Sequence, residues 1–420
     1  MKKYMNLDYY YKYYLTEPDK FKQLVNERVN NIVAVKTGLY IHPFDPIQKK
    51  LPQKYEIFYL PIPQLSALKD QVYKNSNLIN QKMSKLPNVA AQQLFFNTLI
   101  FELQSTNDIE GVRSSKQELE SAMDSALKKS KESKRFLGLV KQYLNIEKGK
   151  FNQIKDIKEF RTIWDELVKQ EKMDQLPDGK LFRSKPESIM AGIKVIHEGD
   201  PTEKDIMADL TALVKEMNVD DSDIPALEKC FIAHYFYEYV HPFYDGNGRT
   251  GRFITCSYLA RKLDIMTSIS FSSAIAQNKN YYYKSFKNMS NQHNFGEATN
   301  FIIHMLKILE KGQNNFIKRL DYGDKLLTQA NELIASYNLD RNLSELLELY
   351  FQKHIFGTYT PNITDEQLTE ILHQSRYHIR RYTSELEEKG LITVLKEKPK
   401  PMLFHLNYKN KLKLCINSYR

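Results

Sequence analysis

What these 420 residues lack narrows their chemistry first. Cysteine occurs three times, as Cys230, Cys256 and Cys415, far apart and never as C-x-x-C. That spacing supports neither a disulfide framework nor a thiolate zinc site, and it fits a reducing, cytoplasmic setting. Glycine and proline number 15 each, below the roughly 7% and 5% of average usage, so loops should be few and a glycine cluster stands out. Tryptophan occurs once, as Trp164, against 22 Phe and 27 Tyr. The amino terminus, MKKYMNLDYYYKYY, lacks the apolar core of a secretory leader. No apolar run nears the ~18 residues of a membrane span, so no membrane contact is expected.

Charge is not scarce. Lys and Arg number 61 against 51 Asp and Glu, a net +10, with an isoelectric point near 9.0. This permits contact with nucleic acid or nucleotide and demonstrates neither. A hydrophobic share of 42% excludes wholesale disorder.

The length predicts two or three domains. Residues 1–88 read as an N-terminal helical region, punctuated by proline between Pro43 and Pro63. From Val89 to Glu110 the apolar Ala90, Leu94, Phe95, Leu99 and Phe101 predict a helix, closed by Gly111. Residues 188–196, SIMAGIKVI, predict two short strands around Gly192. Helices follow at 203–217 and 226–240, the latter apolar nearly all round and therefore buried. Residues 252–263 are similar. Beyond about 325, Leu343, Leu346, Leu347, Tyr350 and Phe351 predict an amphipathic helix, and Thr364 with Gln367 a capped start for a second. A third, from Ser375 to Lys389, turns Ile379, Tyr382 and Leu386 inward, and Gly390 closes it. LITVLK and MLFHLN then read as a hairpin. Three helices and a hairpin are the order of a winged helix, assigned to 325–420; the fold class expected is mainly α.

The informative stretch is His241-Pro242-Phe243-Tyr244-Asp245-Gly246-Asn247-Gly248-Arg249-Thr250-Gly251-Arg252. Three of the 15 glycines fall within six positions. Glycine before a helix lets a ligand approach backbone N–H groups, and the helix dipole makes that end an anion site. Arg249 and Arg252 stand in the first turn, where cations are unfavourable, which suggests a bound polyanion. Gly246, Gly248 and Gly251 fit G-x-G-x-x-G, but no strand precedes them and no acid lies between 265 and 296. Arg252-Phe253 likewise replaces the Lys-Ser/Thr of a phosphate-binding P-loop. What remains is a diphosphate loop beside an imidazole and a carboxylate. His241 can act as a general base near neutral pH. Asp245 is a hard oxygen ligand suited to the Mg²⁺ that accompanies nucleotide phosphates. Asn247 and Arg252 can stabilise charge on a transferring phosphate.

The twelve residues match the signature H-P-F-x-D/E-G-N-G-R-x-x-R at every defined position. The chain therefore resembles Fic proteins, which transfer AMP from ATP to hydroxyl side chains of target proteins. A near-copy, His42-Pro43-Phe44-Asp45-Pro46, lacks the glycines and arginines and is taken as chance. The resemblance implies a Fic-type helical core with a small β-hairpin flap over 89–315. By it, His241 would deprotonate a Ser, Thr or Tyr hydroxyl, and Asp245 would hold Mg²⁺ against the α- and β-phosphates. The backbone of Gly246, Asn247 and Gly248 would form the anion hole; Arg249 would support the diphosphate and Arg252 the terminal phosphate, with Thr250 and Gly251 in the same nucleotide-binding turn. Relatives that phosphorylate a translation factor carry Lys where this chain has Gly248, which argues against that reaction. Gly179-Lys180-Leu181-Phe182-Arg183 followed by Ile193, Lys194 and Val195, running on to His197, resembles the strand pair that holds the target by strand addition. Asn278-Lys279-x-x-Tyr282-Tyr283 resembles the segment near adenine, with Lys279 in place of arginine; a further adenine contact falls on Asn288 or Asn291.

Thr106-Asn107-Asp108-Ile109-Glu110-Gly111 matches S/T-x-x-x-E-G/N, which in this family marks an inhibitory helix. Glu110 would pair with Arg252 and deny it to the γ-phosphate, since one guanidinium fork cannot hold both. Arg376 and Arg380 on the third C-terminal helix, with Lys396, Lys398 and Lys400 around the wing, suit either phosphate contacts to DNA or a protein surface, a homodimer included. The expected activity is cytoplasmic, Mg²⁺-dependent protein AMP transfer, with the chain itself among its targets. The alternative is a DNA-binding regulator whose Fic site senses nucleotide.

Overall fold

The N-terminal residues hold more sheet than the sequence reading allowed. After α1 (Leu7–Tyr13) and α2 (Pro18–Val29) come β1 (Val35–Ile41), β2 (Phe44–Asp45), β3 (Lys49–Lys50) and β4 (Tyr55–Tyr59). β1 pairs antiparallel with β4, Val35 facing Tyr59 and Ile41 facing Tyr55. Thr37, Leu39 and Ile41 are buried alternately, the period of two that defines a half-buried strand. Gly38, with φ +69°, interrupts that pattern in the sequence and hides it. The region is therefore mixed rather than helical.

The chain continues through α3 (Pro63–Met83), α4 (Asn88–Ile109), α5 (Lys116–Leu127), α6 (Leu137–Glu147) and α7 (Lys158–Val168). A hairpin, β5 (Ser188–Ala191) and β6 (Lys194–Glu198), precedes α8 (Glu203–Met217), α9 (Ala226–Val240) and α10 (Asn247–Lys262). The short α11 (Ile265–Ser268) and α12 (Phe271–Ala276), then α13 (Lys279–Met289), lead into the long α14 (Thr299–Ser336). Last come α15 (Arg341–Phe356), α16 (Asp365–Leu372), α17 (Arg376–Glu388), β7 (Ile392–Leu395) and β8 (Leu403–Leu406). This computed structural model describes residues 4–45, 47, 49–130, 132–151, 153–218, 224–357, 365–395 and 403–406. Thr364, Lys396, Lys398, Lys400 and Cys415 lie outside the described residues.

The molecule divides into two units, 1–79 with 99–314 and 80–98 with 315–420. Of the N-terminal region, residues 1–79 cluster with the first unit and 80–88 with the second. In that unit α9 is buried along almost its whole length. It packs against α8 and α10, and α10 in turn meets α6, α7, α11 and α12. Tyr143 lies edge-on to Phe253, and Phe160 stacks on Tyr237. Each such burial contributes about 1.5–3 kcal/mol, so the loop joining α9 to α10 hangs between two rigid supports. In the second unit Leu343, Leu346, Leu347 and Tyr350 of α15 form one core with Leu368, Ile379, Tyr382, Leu386 and Ile392. Ser375 caps α17 by accepting from His378 N–H, and β7 pairs antiparallel with β8. Among the described residues no helix is long and apolar enough to cross a membrane.

Candidate functional site

The loop between α9 and α10 is built by residues from four other places in the chain. α9 ends on His241, which takes the left-handed φ of +54°, uncommon outside glycine and frequent at functional sites. Arg183, fully buried, donates from Nε to His241 O at 2.7 Å and from Nη2 to Val240 O at 3.3 Å. A cation there satisfies the orphan carbonyls and the negative end of the helix. Inside the loop Asn247 Oδ1 accepts from Phe243 N–H at 2.9 Å, and its Nδ2 donates to Phe243 O at 2.6 Å. The Asn247 side chain is thus a clip for the loop.

Trp164 forms the floor. Its Nε1 donates to Asp245 O at 2.8 Å, and its ring stacks on Phe243 at 4.8 Å. Gly246 opens α10 with φ +80°, and a Cβ there would lie 2.9 Å from Trp164 Nε1. Only glycine fits this turn. α10 therefore starts tight against the indole, presenting the unpaired amides that every helix N-terminus carries. Trp164→Phe loses the hydrogen bond and part of the buried indole's packing, so it should lower stability by about 2–4 kcal/mol, read by thermal denaturation.

His241 is half-buried, and its Nδ1 has no partner among the described residues. Burial, with His197 and Arg183 nearby, pushes its pKa down to about 3. His197, whose ring lies 6.5 Å away, pairs its Nε2 with Tyr239 O at 2.7 Å and is pushed by burial to about 4. Both rings are neutral at physiological pH, the state a proton acceptor requires. The sign for stability follows. Between the unfolded pKa near 6.5 and the folded values, the unfolded chain binds more protons, so these two sites lose stability as pH falls through that window. An NMR titration should show the His241 ring neutral down to about pH 4; protonation near 6.5 would contradict the burial argument.

Both loop arginines already hold carboxylates. Arg252, 1% exposed, has Nη1 at 2.9 Å from Glu110 Oε1. It also donates from Nε to Thr106 Oγ1 and from Nη2 to Thr106 O, both at 3.0 Å. Arg249 Nη1 contacts both oxygens of Glu171, at 2.7 and 2.8 Å, with side chains 2% and 6% exposed. Breaking such a buried pair by removing one partner costs on the order of 3–5 kcal/mol. Cations at this helix start are therefore explained inside the fold, and a bound polyanion is not needed to account for them. A Cβ on Gly248 would collide with Glu110 Oε1, and one on Gly251 with Glu238 and Tyr237. Thr250 is fully buried beside them. Burial pushes the pKa of Glu238 up to about 8.

The end of α4 is held as well. Lys279 Nζ donates to Ile109 O at 3.1 Å, and Tyr283 Oη to the same oxygen at 3.3 Å. A cation on the last carbonyls of a helix is favourable. Tyr283 is 42% exposed, whereas Tyr282 is buried with its hydroxyl 2.8 Å from His234 Nε2. Tyr282 thus packs in the core, its hydroxyl already engaged. Asn291 is also engaged, accepting from His293 N–H at 2.8 Å.

The hairpin differs from the expected strand pair. β6 pairs with Ser188–Ala191, Ala191 facing Lys194 across Gly192 and Ile193. Gly179–Arg183 forms no strand; the amides of Lys180, Leu181 and Phe182 all donate to the Glu203 carboxylate at 2.6–2.9 Å. Ile193 is 95% exposed at the hairpin tip, with Lys194 exposed and Val195 half-buried beside it. Asp245 is exposed, its Oδ1 accepting from Gly246 N–H. Among the described residues no three His, Cys, Asp or Glu side chains cluster as a metal cage. A lone exposed carboxylate still fits Mg²⁺, which binds through one or two carboxylates plus substrate phosphates and water.

Residues 154–259, from before α7 into α10, match the model of the Fic/DOC family. The chain carries a Fic/DOC domain. Proteins with this domain generally transfer AMP or other nucleotide-derived groups to proteins. A Fic family protein from Desulfovibrio desulfuricans G20 is similar over 84% of this chain and 99% of its own, at 17% identity and a TM-score of 0.49. Fic-1 from C. elegans is similar over 62% of this chain and 75% of its own, at 18% identity and a TM-score of 0.40. A variant of that Fic-1 gives 17% identity and a TM-score of 0.42 over the same shares. The matched 154–259 region holds Trp164, Glu171, Arg183 and the whole 241–252 stretch, while Glu110 and Lys279 lie outside it. Sequence reasoning missed Trp164, Glu171, Arg183 and Glu203 as supports of this loop and its neighbours, because each acts at long range from an ordinary helix or loop.

Proposed function

We propose that this chain transfers AMP from ATP to a Ser, Thr or Tyr hydroxyl of a protein, itself included, and that Glu110 restrains the reaction. The observation carrying the reading is a half-buried imidazole, its Nδ1 without a partner among the described residues, at the end of one buried helix and six residues before a second helix that opens on Gly246–Gly248. In the step proposed, the hydroxyl oxygen bonds to the α-phosphorus as the bond to the β-phosphate breaks. Pyrophosphate leaves, and the hydroxyl proton passes to His241. Mg²⁺ held at Asp245 would neutralise phosphate charge. The helix start receives the anion, Arg252 is the guanidinium that Glu110 withholds, and the exposed hairpin edge at Ile193 to Val195 pairs with an extended target segment. Thr106 keeps Arg252 oriented in either state.

Trp164 supplies a direct test, since the chain's sole indole lies against Gly246. Titrating the Glu110→Gly protein with ATP and Mg²⁺ should change its fluorescence saturably; no change would remove the nucleotide site. Lys279→Ala, which releases the end of α4, should raise transfer of labelled AMP by about 3–10-fold, less than removal of Glu110. The alternative regulator is favoured by one feature, the exposed Arg376, Tyr377, Arg380 and Arg381 on α17. Salt-dependent DNA binding without any transfer in Glu110→Gly would establish it instead.

A further inference from the structure

We infer that Glu171 is a positioning residue that holds Arg249 against the protein, so that Arg249 shapes the phosphate loop and never becomes a phosphate ligand. The inference rests on the proposed nucleotide site and departs from the role the family resemblance implies for this arginine.

The geometry sets two readings against each other. In one, Glu171 competes with the diphosphate, as Glu110 would for Arg252, and ATP draws Arg249 away. In the other, the pair is permanent. Exposure and contact distinguish the two arginine–carboxylate pairs. Glu110 keeps a quarter of its side chain in solvent, so it can swing off Arg252 into water. Glu171 keeps 6%, and both its oxygens lie within 2.8 Å of one Arg249 nitrogen. Losing Arg249 would strand a buried carboxylate, a penalty larger than a typical charged hydrogen bond returns. Arg252, by contrast, retains Thr106 when Glu110 leaves. Glu171 also lies three residues beyond the end of α7, the helix whose Trp164 supports Asp245 and Gly246. Two anchors from one segment thus fix the loop, Trp164 beneath its turn and Glu171 at the first arginine of α10. The chemistry left at the diphosphate is then the helix-start amides and a single guanidinium, Arg252.

The test uses the full chain in the Glu110→Gly background with Glu171→Gln, which keeps shape and removes charge, and with Arg249→Lys. Titration with a non-hydrolysable ATP analogue and Mg²⁺ gives Kd; transfer of labelled AMP gives kcat and KM separately. With Glu171 as the positioning residue, Glu171→Gln leaves Kd unchanged or weaker, lowers kcat at least tenfold, and the double variant is no worse than either single one. Glu171→Asp restores part of kcat. An analogue Kd tightened threefold or more by Glu171→Gln would show that Glu171 is a competitor, and unchanged kcat and Kd would show that the pair does nothing for the site. Thermal unfolding confirms that the variants compared are folded. If Glu110→Gly shows no transfer at all, the AMP-transfer reading fails, while the direction of the analogue Kd still judges Glu171.

Discussion

Replacing Glu110 by glycine is expected to raise AMP transfer by about 10–100-fold, the equivalent of one charge-assisted hydrogen bond returned to substrate. The physical basis is the 2.9 Å contact between Glu110 Oε1 and Arg252 Nη1. A guanidinium engaged by carboxylate cannot offer the same nitrogen to a phosphate. The nearby backbone adds to the block, because the space where Gly248 would carry a side chain is filled by the same carboxylate. Removing it clears both the arginine and the helix start at once. The ligand-free variant should in turn be less stable by about 1–3 kcal/mol, since buried Arg252 then keeps only Thr106 as partner. Activity rising while the melting temperature falls is the signature of a pair kept for control. Labelled-ATP transfer and thermal denaturation on one preparation check both directions, and equal activity in wild type and Glu110→Gly would remove the restraint.

His241→Ala should lower transfer by about 10²–10⁴-fold in either background, the range for losing a positioned general base. The ring is held for that task by its backbone. Left-handed φ at 241, Arg183 on the His241 carbonyl and the left-handed turn at Gly246 together fix where the imidazole sits. Burial keeps it neutral, and a phosphate bound nearby would raise its proton affinity as the hydroxyl approaches. Analogue binding to His241→Ala should stay within about threefold of the parent, because the histidine contacts the nucleophile and not the diphosphate in this scheme. Loss of binding and of rate together would instead mean that the side chain props the loop.

The parts legible in the sequence were those governed by local pattern. α9 and α10 announce themselves by apolar content on all sides, the loop between them by glycine density, and α4 by its spacing up to Gly111. The Glu110–Arg252 contact joins positions 142 apart and was reached only through the family resemblance, since nothing in the composition pairs them. The anchoring roles of Glu171, Trp164 and Arg183 were not legible for the same reason. Each is one polar or aromatic residue whose partner is set by how helices pack. The hairpin was half read: 188–196 folds as its own antiparallel pair with a two-residue turn, while 179–183 finds its hydrogen bonds on the Glu203 carboxylate and needs no strand. Asn247 shows the reverse limit, for a motif residue that looks like a phosphate contact spends its side chain on Phe243.

The most direct test is the intact mass of Glu110→Gly, alone and combined with His241→Ala, after incubation with ATP and Mg²⁺. The account predicts a covalent AMP adduct on the first protein and none on the second. An adduct undiminished by the loss of His241, or no adduct on either this chain or any added protein, would contradict it.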